Sequence, residues 1–294
     1  MGLDLREYAA AVRVTDGVYG TELQGRLPAG GCPELLNADD PAAVEAVARS
    51  YVRAGADVIL TNSLSAHRFG LALHGAADRA AEIARAAAEI AVRAVAGTDT
   101  KVFGSFGSTG RIVMTGDTPQ ADLAAAFAET ASALAAGGVE AIVLETFNEL
   151  AEAEIALRAV RDACDLPVVV SMAFAFGPDG TATMMGESPA DLAKMAEAGG
   201  ADAVGANCGV GPKQYVRVAE LLKEATGLPV WIKPNAGMPA VVEGRTTFPM
   251  GPAEFASFVP ALIEAGADFI GGCCGTTPDH IRSVRAAVDG GQPR

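Results

Sequence analysis

Ala265-Gly266-Ala267-Asp268-Phe269-Ile270-Gly271 follows an Ala-rich helical segment and runs into a short apolar stretch. Three other stretches repeat it: Ala54-Gly55-Ala56-Asp57-Val58-Ile59-Leu60, Gly137-Gly138-Val139-Glu140-Ala141-Ile142-Val143-Leu144 and Gly199-Gly200-Ala201-Asp202-Ala203-Val204-Gly205. Each reads as helix, glycine C-cap, acidic turn residue and buried strand. A second phrase, Leu166-Pro167-Val168-Val169-Val170 and Leu228-Pro229-Val230-Trp231-Ile232, starts two more strands. Lys101-Val102-Phe103 starts another, and Val12-Arg13-Val14 is the weakest. The expected strands are 12–16, 57–62, 101–107, 140–146, 167–174, 203–208, 229–235 and 268–274. Apolar strands without alternation are buried on both faces, as in a parallel sheet. Eight such βα units in 294 residues fit a single (β/α)₈ TIM barrel. An open doubly wound sheet is the alternative, weakened because no Gly-x-Gly-x-x-Gly follows an early strand. No linker or low-complexity break divides the chain. The expectation is one domain over 1–294, with its core at about 12–288 and a frayed tail from Gly290 to Arg294.

Barrels of this kind do their chemistry at the C-terminal ends of the strands. The polar residues expected there are Asp16, Asn62, Ser105 with Ser108 and Thr109, Glu145 with Thr146, Asn207 with Cys208, Asn235, and the pair Cys273-Cys274. Some of these would serve only to cap helices or form turns. The pair lies in Gly271-Gly272-Cys273-Cys274-Gly275-Thr276-Thr277-Pro278-Asp279-His280, where a strand ends and a helix begins at an N-cap threonine and a first-position proline. Neighbouring strand residues point to opposite faces, so two converging thiols need a break in the strand, which the flanking glycines ease. Read alone, the pair is equally well two small buried side chains. Cys208, at the end of the sixth strand, decides for a site. Three thiolates at one mouth make a soft anionic centre suited to zinc, with a fourth position open. Such a centre is suited to hold another thiol as thiolate, a nucleophile for an electrophilic carbon. Cys32 and Cys164 fall outside this cluster and read as structural or incidental.

Composition limits the partners. Lys plus Arg is 22 and Asp plus Glu is 36, a formal charge of −14, so nucleic acid and membrane surfaces are not expected. Charges at Asp4, Arg6 and Glu7 leave no signal-peptide core, and Arg6 breaks the myristoylation pattern. No apolar run reaches the ~18 residues of a membrane span. Five cysteines without a disulfide-like spacing point to the reducing cytoplasm.

The run Gly-Gly-Cys-Cys-Gly-Thr-Thr-Pro, Gly205-Ala206-Asn207-Cys208, Lys233-Pro234-Asn235-Ala236-Gly237, Glu145-Thr146-Phe147 and Asp16-Gly17 with Gly20-Thr21 together resemble the homocysteine S-methyltransferase family. The likeness runs from about Thr15 to Val288 and is nearest to the homocysteine-binding barrel of cobalamin-dependent methionine synthase. The resemblance implies zinc held by Cys208, Cys273 and Cys274, with homocysteine thiolate in the fourth position and Asn235 taking that place when substrate is absent. It implies that Asp16 and Glu145 hold the substrate ammonium group and that the turn from Gly17 to Gly20 meets the carboxylate. The product would be methionine. The chain departs from the family at Val18-Tyr19, at Gly107-Ser108-Thr109-Gly110 and at Thr61-Asn62-Ser63-Leu64, loops that face the methyl donor. With no corrinoid motif in the chain, the methyl group is expected from a corrinoid carried by another protein, or from methylcobalamin. A small donor (S-methylmethionine, betaine or another sulfonium), or a different acceptor thiol, is the alternative.

Other readings concern single residues. His67 could reach the mouth, although a solvated loop histidine is the plainer reading; His74 reads as surface and His280 as a non-ligand. Lys233 could serve a Schiff-base aldolase. Gly107-Ser108-Thr109-Gly110-Arg111 could cradle an anion or form a tight turn. Beyond the methyltransferase stand two other classes: a zinc-bearing binding module, and a metal-free redox pair at Cys273-Cys274.

Overall fold

The computed structural model describes residues 2–28, 30–242 and 245–290; the tail residues 291–294 lie outside the described residues. Its strands are β1 (Arg13–Val14), β2 (Val58–Leu60), β3 (Lys101–Gly107), β4 (Ala141–Phe147), β5 (Val168–Met172), β6 (Ala203–Cys208), β7 (Val230–Pro234), β8 (Ala240–Val242), β9 (Arg245–Thr247) and β10 (Phe269–Ile270). All but β8 and β9 form one parallel sheet in the order β1-β10-β7-β6-β5-β4-β3-β2. A parallel bridge between Thr15 and Val58, with the Asp57 N–H on the Val14 carbonyl at 2.7 Å, brings β2 back to β1. The sheet thus curls into a (β/α)₈ barrel, with helices between successive strands.

The repeated phrase explains how the strands find their neighbours. Its helices, Pro41–Arg53, Gln120–Ala136, Pro189–Ala198 and Val259–Glu264, all end one residue before the C-cap and two before a glycine. Those glycines, Gly55, Gly138, Gly200 and Gly266, have φ between +73° and +95°, the left-handed turn that ends a helix cheaply only without a Cβ. The acid then reaches sideways. Asp57 accepts the N–H of Val14 at 2.8 Å, Glu140 that of Val102 at 3.3 Å, Asp202 that of Val168 at 2.8 Å and Asp268 that of Val230 at 2.8 Å. Each acid also pairs with a cation: Arg285, Lys101, Arg161 and Lys223 in turn. The phrase is therefore a clamp joining strands in twos, β1 to β2, β3 to β4, β5 to β6 and β7 to β10, at the N-terminal end of the barrel.

Inside the barrel, Val58, Leu60, Phe103, Val143, Val169, Trp231 and Phe269 form an apolar plug, closed below by Leu5 of the short helix Leu5–Tyr8. The Trp231 ring lies 5.2 Å from that of Phe269 and 6.0 Å from that of Phe103. A larger apolar layer fills the space between strands and helices. The helix Ala80–Val95 shows the pattern: Ala80, Ile83, Ala84, Ala87, Ala88, Ile90, Ala91 and Ala94 are buried at three- and four-residue spacing.

Two expectations are corrected. The last barrel strand is Phe269–Ile270 alone, not 268–274. Beyond it the Gly271 N–H bonds to Ile232, the Gly272 N–H to Asp16 and the Cys273 N–H to Pro234, so the backbone alternates between both neighbours and leaves regular pairing. The antiparallel pair β8 and β9, inserted after β7, was not expected. Among the described residues no helix is long and apolar enough to cross a membrane.

Candidate functional site: a three-cysteine centre at the barrel mouth

A cavity of 460 Å³ opens at the C-terminal ends of the strands, with Cys208, Cys273, Cys274, Glu145, Lys233 and Gly17 among its lining residues. The three sulfurs lie within 4.8 Å of one another. Cys208 is the last residue of β6 and has φ +66°, a left-handed backbone that costs a non-glycine residue about 1–2 kcal/mol. The Tyr215 hydroxyl steadies this turn by donating to the Asn207 carbonyl at 2.8 Å. Cys273 and Cys274 follow β10. Gly271 and Gly272 are required there less for bending than for close packing: a Cβ on Gly271 would lie 1.9 Å from Thr15 Oγ1, and one on Gly272 2.4 Å from Thr276 Cγ2. The bend itself falls on Gly275, at φ +80°.

The three thiols share protons. Hydrogen bonds from Cys273 and Cys274 hold the Cys208 thiol far down, to about 3. The same sharing pushes Cys273 up to about 12 and Cys274 higher as well. The first proton leaves readily; the others leave only against a neighbouring negative charge. A divalent cation among the sulfurs removes that penalty. Tetrahedral zinc with Zn–S bonds of ~2.3 Å places its sulfurs ~3.8 Å apart, a spacing within the 4.8 Å span seen here. The donor set fits a thiophilic metal.

Asn235 binds the two halves of the centre together. Its Nδ2 donates to the Gly209 carbonyl at 2.6 Å, and its Oδ1 accepts the Cys274 N–H at 3.0 Å. Asn207 does the same for the neighbouring wall. It accepts from the Thr146 N–H at 2.9 Å and the Ser171 hydroxyl at 2.7 Å, and donates to Thr146 Oγ1 at 2.6 Å. Thr146 is the other described non-glycine residue with positive φ, at +62°, so Asn207 holds a strained residue directly beside Glu145.

Above the apolar plug the inward positions turn polar. Trp231 is followed two residues on by Lys233, Phe103 by Ser105, Val143 by Glu145 and Val169 by Ser171. Asp16 is fully buried; its Oδ1 accepts from Lys233 Nζ at 2.5 Å and its Oδ2 from the Leu60 N–H at 2.8 Å. Burial pushes the Asp16 carboxyl up, and Lys233 counters it. Asp16 therefore sits behind Lys233 and is not part of the cavity lining, whereas Glu145 is. Glu145 accepts from the Ser105 hydroxyl, and burial raises it to about 7 against the pull of Lys233.

The remaining candidates separate clearly. The turn Gly107 to Arg111 holds the protein's own anion: buried Glu152 accepts from the Ser108 hydroxyl at 2.6 Å, the Thr109 N–H at 2.8 Å and the Thr109 hydroxyl at 2.5 Å. His67 is neither solvated nor part of the cavity lining. It is 1% exposed, its Nδ1 accepts the Gly70 N–H at 3.1 Å as an N-cap, and burial lowers it to about 4. His74 is exposed at the cavity rim. His280 caps its own helix and meets the Met250 carbonyl at 3.0 Å, away from the sulfurs. Cys164 lies at the end of the helix Leu150–Ala163, but Cys32 lines the cavity and donates to buried Glu34 at 3.1 Å. Its place on the wall was not legible because a long loop carries it there.

Exposed apolar side chains lie on the loops that follow the strands, and Leu64 and Leu73 among them line the cavity. Leu64, Leu73, Ile112, Met114, Phe176, Met184 and Met238, the exposed large hydrophobics among the described residues, all follow the C-terminal ends of β2, β3, β5 or β7. A larger groove of 1110 Å³ opens at the other end of the barrel, where Asp57 pairs with Arg285 and Glu140 with Lys101, both at 2.8 Å. That end carries stability rather than chemistry.

Fold and site define a (β/α)₈ barrel with three cysteines gathered at its catalytic face. The chain belongs to the homocysteine S-methyltransferase family, whose model matches residues 13–288. Methionine synthase of Mycobacterium leprae is 33% identical over 312 aligned residues, covering 99% of this chain and 26% of the relative. Methionine synthase of Mycobacterium tuberculosis is 33% identical over 296, covering 94% and 24%. The chain thus spans about a quarter of the length of these relatives. The metallated form of the homocysteine methyltransferase MmuM from Escherichia coli superposes with a TM-score of 0.79 at 23% identity, over 97% of this chain and 99% of that one.

Proposed function

We propose that the barrel, from about residue 12 to 288, methylates the thiol of homocysteine to give methionine at a zinc centre held by Cys208, Cys273 and Cys274. The convergence of those three sulfurs at the mouth carries the reading. Zinc, when bound, supplies the Lewis acidity that keeps a fourth thiol deprotonated. The chain's own residues do the rest. Asn235 and Gly275 keep the two cysteine loops in register, and Asn207 keeps Glu145 in place. Glu145 receives the acceptor's ammonium group, and Asp16 supports that face by fixing Lys233. The Gly17 turn closes the pocket against Tyr51 and Thr276. The reaction forms one C–S bond and breaks the donor's bond to methyl, whose electron pair leaves with the donor.

The methyl group arrives on a corrinoid held outside this barrel. The exposed apolar side chains on these loops support a large donor over a small charged one, because a sulfonium or betaine needs no such surface. Unpaired cysteines throughout the described chain support a cytoplasmic setting. A methyl-transfer assay on homocysteine tests the reading with methylcobalamin, S-methylmethionine, betaine and methyltetrahydrofolate as donors. Methylcobalamin is expected to support turnover. Turnover with S-methylmethionine or betaine alone would replace the corrinoid donor, and turnover with none would shift the reading to another acceptor or to a donor used only on its carrier protein.

A further inference from the structure

Lys233 is the one lysine or arginine on the cavity wall among the described residues, and it is 2% exposed. Its ammonium group donates to Asp16 Oδ1 at 2.5 Å and has no other hydrogen-bond partner among the described residues. An ammonium carries three N–H donors, so two are left for whatever fills the cavity. Its place is fixed from below, where Nζ lies 5.8 Å from the Trp231 ring centroid, and from behind by Asp16. A buried cation with unmet donors is costly unless a ligand meets them. Glu145 is its complement on the same wall. One oxygen takes the Ser105 hydroxyl, and the other has no hydrogen-bond partner among the described residues. One fixed cation and one fixed carboxylate beside the sulfurs match the two charges of an α-amino acid.

We propose that Lys233 reads the carboxylate of the acceptor alongside the Gly17 turn, which lines the same cavity, and, opposite Glu145, selects amino acid thiols over simple amino thiols. The selection rests on the acceptor reading above. It assigns Lys233 a binding role in place of the Schiff-base role open from sequence, because its Nζ is tied to buried Asp16 at 2.5 Å.

Calorimetric binding to the zinc-loaded protein tests the proposal with two thiols, homocysteine and 3-aminopropanethiol, which lacks the carboxylate. The wild-type protein is expected to favour homocysteine by about 30-fold, the worth of one buried charged hydrogen bond. Lys233→Met is expected to bring the two affinities to within about 3-fold of each other, although both fall as Glu145 loses the pull of Lys233. Because Lys233→Met leaves Asp16 buried without a partner, the pair Asp16→Asn with Lys233→Met is measured as well, with zinc content and melting temperature alongside. Loss of both thiols in equal measure, with zinc and melting intact, would show that Lys233 supports the wall and does not read the carboxylate. Equal wild-type affinity for both thiols would overturn this inference alone. Wild-type binding of neither would overturn the acceptor reading along with it.

Discussion

Glu145 shows the compromise that a single residue makes at this site. Its carboxyl is raised to about 7 because burial outweighs the Lys233 charge and the Ser105 hydrogen bond. The unfolded chain releases this proton near pH 4.5 and the folded chain near 7. Stability from the neutral form is therefore complete at low pH and is lost as pH rises through about 7. Holding an ammonium group requires the charged form, which the fold disfavours. Glu145→Gln is accordingly expected to raise the melting temperature at pH 8 and to flatten its decline between pH 5 and 8. The same change should lower the affinity for an amino thiol by 10-fold or more, on the order of one charged hydrogen bond. Thermal melts across pH and thiol titrations read the two effects in the same samples. Glu145 was legible in the sequence because it ends an apolar strand. The engagement of Asp16 by Lys233 was not, since residues 217 positions apart meet only once the barrel closes.

At the scale of elements, the repeated phrase did more than mark helix ends. Its glycines could be read as C-caps from local backbone chemistry alone. Its acids could not be read as clamps, because Asp202 bonds to Val168, a strand start earlier in the chain. Asp202 also accepts from Arg161 at 2.5 Å, so one carboxylate ties β6 to β5 and to the helix before it. Asp202→Asn keeps the shape and removes the charge from both bonds. It is expected to lower stability by about 1–2 kcal/mol, measured by urea unfolding, with metal content unchanged because the clamp lies at the far end of the barrel. The strand after Ala267 was the hardest to bound. Apolar character continues into the Gly-Gly-Cys-Cys run, but the hydrogen bonds there alternate between β1 and β7. The β8 and β9 pair was hidden for a similar reason: Ala240–Val242 and Arg245–Thr247 are too short to stand out from a loop.

Across the whole molecule, chemistry and stability occupy opposite ends of the barrel. Paired charges and clamps fill the N-terminal end, while strained Thr146 and Cys208, buried Lys233 and the sulfurs gather at the mouth. The strand count made that division legible, because it put Cys208 and the Cys273-Cys274 pair on strands flanking β7. What the sequence lacked was the set of contacts that orient the sulfurs: Asn235 across both loops, Tyr215 under the Cys208 turn, and Phe248 against Gly275, where a Cβ would come within 2.2 Å. These cysteines are proposed to form a metal centre with one position open to a thiol. X-ray absorption at the zinc edge, on protein with and without homocysteine, measures this directly. About one zinc per chain is expected, with three sulfur neighbours at ~2.3 Å without homocysteine and a fourth replacing a lighter atom when it is added. A zinc shell unchanged by homocysteine, or stoichiometric zinc retained in Cys208→Ala, would contradict it.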